Sequence, residues 1–193
     1  ANRFTHFEAE TDLDDWVARA YAQCIDERIL AFLRYRPELL FDFDPAHNPV
    51  AFPSPRSWEF AHRALHKFAD QPNLLPGGLE ACVGKAAGIE LHAFIQSLEN
   101  LPDIDAILRG ESRQCPREID LQYAVATALV TRAVRAEGDV GMLGNILRYA
   151  DCFEQREMGV MLVSDLHRAI GAPLFAVPEF AGWAKKIGDI LIY

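Results

Sequence analysis

Cysteine, long apolar runs and excess positive charge are all scarce in this 193-residue sequence, and each scarcity removes a class of protein. The four cysteines, Cys24, Cys82, Cys115 and Cys152, include no CxxC pair to bring two thiolates to one metal. They are also too sparse for a disulfide scaffold in a chain long enough to build its own core. They read as buried thiols of a reducing compartment, so a cytoplasmic protein is expected. No window approaches the roughly 18 uninterrupted apolar residues of a membrane span. Glu8, Glu10 and Asp12 do not resemble the basic opening of a signal peptide, and no membrane partner is expected. Acidic residues number 28 against 19 basic ones, a formal net charge of −9, which argues against a nucleic-acid partner.

What is present is the composition of a globular domain: 50% of residues are hydrophobic, enough to exclude a disordered chain. Residues 3–8 read as a short strand, and everything after them as helix. Thr11 is expected to cap a first helix whose inner stripe is Trp16, Ala20 and Cys24. A second helix, 26–36, turns Ile29, Phe32 and Leu33 inward and ends at Pro37. Prolines 37, 45, 49, 53 and 55, interleaved with Phe41, Phe43 and Phe52, make a stiff connection that packs on the core. Ser54 caps the next helix, with Pro55 at its first position and Trp58, Ala61, Leu65 and Phe68 on one stripe. Further helices are expected over 79–84, 86–98, 116–136, 140–153, 156–170 and 179–187, with a short turn at 103–108. The prediction is a mainly α helical bundle with one short N-terminal strand.

Few motifs carry chemistry. Gly78 to Lys85 imitates a phosphate loop but has five residues between its glycines, and Ala86 stands where a Mg²⁺-binding Ser or Thr is needed. His62 and His66 stand four apart and share a helix face. No Glu follows His62 as in HExxH, and no third ligand is evident in sequence, so they read as polar groove residues and no metal is expected. No GxSxG elbow supports a hydrolase triad. Arg56 is different. It sits in the first turn of a helix, where the macrodipole disfavours a cation unless something negative is near. A bound phosphate would supply that charge, met by the guanidinium and the free N–H groups of the turn. A neighbouring carboxylate is the plainer alternative.

The segment Phe52-Pro53-Ser54-Pro55-Arg56-Ser57-Trp58 resembles the Ser-Pro-Arg sensor-2 motif that opens the lid helix of MoxR-like AAA+ ATPases. Its company is similar to the C-terminal part of the same family: Ala1-Asn2-Arg3-Phe4, Asp14-Asp15-Trp16, the run from Ala31 to Leu40, and Phe43-Asp44-Pro45. The likeness covers about residues 1–70. It implies an AAA+ lid-like bundle, with the end of the ATPase core and the lid in residues 1–72 and a C-terminal helical extension in 73–193 packed on the lid. It implies that Arg56, with Ser54 beside it, contacts the γ-phosphate as sensor 2. Arg3 would be the arginine finger reaching the neighbouring subunit's nucleotide. Charge stabilisers of this kind are worth about 10³–10⁵ in rate in other NTPases.

No Walker A lysine, Walker B acidic pair or sensor-1 segment occurs in the sequence, and the chain starts at Ala1. A C-terminal fragment is therefore expected, inactive alone, of an ATP-binding chaperone or remodelling enzyme. ATP and Mg²⁺ would belong to the full-length parent, whose partners would be the upstream AAA+ core, further copies in a homo-oligomeric ring, and a protein substrate or adaptor. A free-standing helical protein-interaction domain is the alternative. A metal-dependent hydrolase using His62, His66 and a carboxylate, with stoichiometric zinc, ranks last.

Overall fold

Five of the described helices begin where a side chain takes up a backbone N–H group that the helix itself leaves unpaired. In the computed structural model, which describes residues 10–44, 46 and 50–191, Asp12 Oδ1 accepts the Asp15 N–H at 2.8 Å and opens α1 (Leu13–Ala22). Asp12, not Thr11, is therefore the cap. Asp26 opens α2 (Glu27–Tyr35), and Ser54 opens α3 (Pro55–Lys67). There follow α4 (Leu75–Val83), α5 (Lys85–Ser97), α6 (Ile104–Leu108), α7 (Ile119–Arg135), α8 (Val140–Ala150), α9 (Arg156–Ile170) and α10 (Pro178–Leu191). No strand occurs among the described residues, and the one expected at residues 3–8 lies outside them. The protein is mainly α, a helical bundle, and none of its described helices is long and apolar enough to cross a membrane.

Three local expectations need correction. α4 starts at Leu75, ahead of the expected 79, because Pro76 falls in the first turn, where its missing N–H costs nothing. Gly78 there lies against the Phe68 ring, where a Cβ would come within 2.6 Å of a ring carbon. Cys24 does not join the α1 stripe. It sits beyond the helix at φ 54°, exposed, while Cys82, Cys115 and Cys152 are half-buried, so none of the four free thiols is fully enclosed. The proline-rich connection packs only in part: Leu39, Leu40 and Pro53 are buried, whereas Phe41 and Phe43 remain about half exposed with their rings against Phe52.

The centre of the bundle is α7. From Leu121 to Thr131 nearly every side chain is buried, so this helix is enclosed on all sides instead of showing one apolar stripe. Its alanines at 124, 126, 128 and 133 let neighbours approach closely; α2 packs along it on one side and α9 on another. α3 packs on α4 and α4 on α5, while α8 gathers α6, α9 and α10. One apolar core runs from Trp16 to Val177 and passes without a break across residue 72. Trp58 of α3 is fully buried within it and donates its indole N–H to the Leu39 carbonyl at 2.9 Å.

Candidate functional site

The functional candidates converge on α3, whose sequence divides it into three faces. Ser57, Trp58, Ala61, Ala64 and Leu65 enter the core. The second face carries Arg56, Phe60 and Arg63, spaced so that both arginines lie against the one ring. Their guanidinium carbons stand 5.6 and 5.4 Å from the Phe60 centroid, a cation–π arrangement on an exposed surface. The third face carries His62 and His66 toward the start of α2.

Arg56 occupies the second position of a helix with a complete capping box. The Ser54 Oγ accepts the Ser57 N–H at 3.2 Å and the Ser57 Oγ accepts the Ser54 N–H at 2.7 Å. Ser54 therefore has its hydroxyl committed to the helix. Pro55 has no N–H, so among the described residues the Arg56 N–H is the one first-turn donor left over, fewer than the sequence reading expected. The guanidinium makes no ion pair among the described residues. Glu59, the only carboxylate on α3, turns instead to Arg19 of α1 at 3.0 Å. A cation thus stands at the positive end of a helix with no ion-pair partner among the described residues, the arrangement that an incoming anion relieves.

Comparison with protein-family models, with curated proteins and with solved structures returns no match. Arg3 lies outside the described residues. The Gly78–Lys85 segment is helix α4 followed by the Gly84 joint, with no loop of the kind that cradles phosphate.

On the third face the bundle supplies what sequence reading lacked. Asp26 meets both histidines: its backbone N–H donates to His62 Nδ1 at 3.1 Å, and its Oδ2 stands 3.8 Å from His66 Nε2. The two imidazoles pack edge to face at 4.6 Å. Arg28 grips the same carboxylate through Nε to Oδ1 at 2.8 Å and Nη2 to Oδ2 at 2.7 Å. Burial alone would raise the Asp26 carboxyl, but Arg28 outweighs it and holds the group below its ordinary value. Burial, reinforced by His66 and Arg63 and opposed by Asp26, lowers the His62 imidazole. Near neutral pH the cluster holds an ionised carboxylate and an uncharged His62.

Sequence reading also missed an ion network in the core. Arg34 of α2 forks onto Asp165 of α9, with Nε to Oδ2 at 3.0 Å and Nη2 to Oδ1, and reaches Asp14 of α1 at 2.5 Å. Arg168 adds a contact to Asp165 at 3.4 Å and one to Asp14 at 2.6 Å. The partners are 131 residues apart, and only the periodicity of charge on α2, with Arg34 on its buried stripe, hinted that a counter-charge was needed.

Proposed function

We propose that this chain is the lid and C-terminal helical region of a MoxR-like AAA+ ATPase, in which Arg56 acts as sensor 2. The observation that supports this most is the Arg56 guanidinium in the first turn of a fully capped α3, without an ion-pair partner among the described residues and with Glu59 engaged elsewhere. Such a residue can approach a γ-phosphate without first breaking an ion pair, and it gains from the charge that develops on the transferring phosphoryl group. The lid rests on a stiff base: α3 is held by buried Trp58 and by the Arg19 contact, so a displacement of Arg56 moves the helix and not just the side chain. ATP and Mg²⁺ would be held by an upstream core, with Arg3 as the finger residue toward a neighbouring subunit of a homo-oligomeric ring that remodels protein substrates.

The tests are direct. Titration of the chain alone with ATP and Mg²⁺ is expected to show no tight complex; a tight one would remove the divided-site reading. In the full-length parent, Arg56→Ala is expected to lower turnover while thermal stability stays unchanged, since the side chain is exposed and its only described contact is Phe60. Unchanged turnover would take Arg56 out of the site.

A second reading, a helical protein-interaction domain, is favoured by the half-exposed Phe41 and Phe43 and by Ile89, which lines a groove of about 540 Å³ with Leu39, Pro53 and Val83. The reading frame upstream separates the two. An in-frame GxxxxGK[ST] followed by a strand ending in Asp-Glu supports the ATPase, and a start codon immediately before Ala1 supports the interaction domain.

A further inference from the structure

We propose that Asp26, His62 and His66 form a binding site for one divalent transition-metal ion of the zinc, cobalt and nickel class, joining the start of α2 to α3. This site is independent of the Arg56 reading, and either can fail without the other. One ligand atom from each residue lies within 4.8 Å of the other two. Metal bonds of about 2.0–2.2 Å bring ligand atoms to within roughly 4 Å of each other, so closure needs a movement of about 1 Å. His66 can supply it, because its side chain is 64% exposed and its Nε2 already stands 3.8 Å from the Asp26 carboxylate.

The donor set defines the ion. Two imidazoles and one carboxylate suit borderline cations, whereas Mg²⁺ and Ca²⁺ call for oxygen alone. Protonation states already suit ligation: Arg28 keeps Asp26 ionised, and burial keeps His62 neutral. Arg28 also sets a limit. Its guanidinium occupies one side of both carboxylate oxygens, leaving a lone pair on Oδ2 toward His66, and its charge opposes the ion. With three protein ligands the fourth position falls to water, an open site of moderate affinity.

Binding has a structural consequence. His62 Nδ1 accepts the Asp26 N–H, and ligation through either ring nitrogen ends that bond. Ligation at Nδ1 ends it directly; ligation at Nε2 places the ring proton on Nδ1 and turns an acceptor into a donor. The ion therefore replaces one α2–α3 link with another, and the Asp26 amide reports the exchange.

The experiment uses the full chain freed of any affinity tag and stripped with a chelator, titrated with Zn²⁺ by calorimetry and with Co²⁺ by absorption. One ion per chain is expected, with a roughly micromolar Kd. His66→Gln is expected to weaken it by more than the about tenfold that loss of an outer-shell partner costs, with melting in chelator unchanged. His62→Gln provides a second ligand deletion. The cobalt spectrum should lack a thiolate charge-transfer band, and the Asp26 amide should shift on loading. Absence of saturable binding, binding that His66→Gln leaves intact, a thiolate band implicating the cysteines, or an unmoved Asp26 amide would each overturn the site.

Discussion

Arg34→Met tests whether the bundle depends on the deeply buried fork of charge between Arg34 and Asp165. Arg34 and Asp165 expose only 8% and 3% of their side chains, and Met fills much of the arginine's stem volume, so the change removes charge more than packing. Asp165 then keeps only the longer Arg168 contact at 3.4 Å. Breaking a buried pair from one side costs about 3–5 kcal/mol, and Arg168 places the expected loss near the lower end, about 3 kcal/mol. For a chain of this size that is a fall in Tm of about 6–12 °C. Urea denaturation followed by the fluorescence of buried Trp58 should show a lower midpoint with an unchanged slope. The double variant Arg34→Met/Asp165→Leu leaves no orphaned charge and should recover to within about 1 kcal/mol of the parent, a coupling of about 2 kcal/mol or more. A single variant within about 0.5 kcal/mol of the parent, or a double variant no better than the single, would refute the assignment of the loss to an unpaired carboxylate.

Gly84→Ala should destabilise by about 2–4 kcal/mol in the same assay, because φ 86° and ψ 160° are open only to glycine and a Cβ would stand 2.6 Å from the Ala51 carbonyl oxygen. Trp58→Phe should cost about 1–3 kcal/mol by leaving the Leu39 carbonyl without its indole donor, and a neutral result would show that carbonyl finds another partner. Stability should fall in two steps as pH drops. His62 has a folded pKa below its unfolded value, so the unfolded chain binds the extra proton and stability declines as pH falls from about 6.5 toward the lowered value. Asp26, also lowered, adds a second decline below about pH 4. Melting curves of His62→Gln across pH 5–8 should lose the first step, and a variant that retains it would assign that step elsewhere.

Helix identity was legible in sequence wherever local signals agreed: Ser54 and Pro55 marked the start of α3, and the period of Trp58, Ala61 and Leu65 marked its inner face. α9 was legible to the residue, since glycine follows its last turn. Legibility failed where a neighbour overrode local preference. The start of α4 lay outside local signals, because the space beside Gly78 is taken by the Phe68 ring. The enclosure of α7 lay outside the sequence pattern, because periodicity reports a single apolar face and cannot tell a helix with neighbours on every side. The Arg56 environment was half legible: its place in the first turn follows from the chain, but whether Glu59 would neutralise it depended on Arg19 arriving from another helix. Sequence by itself determined most of the helices, the Ser54 cap of α3 and the two histidines on one face, because those properties are set within about four residues of backbone. Tertiary structure alone decided that Asp26 faces His62 and His66 and that Arg34 meets Asp165, because side chains 36 and 131 residues apart become neighbours only when the core closes.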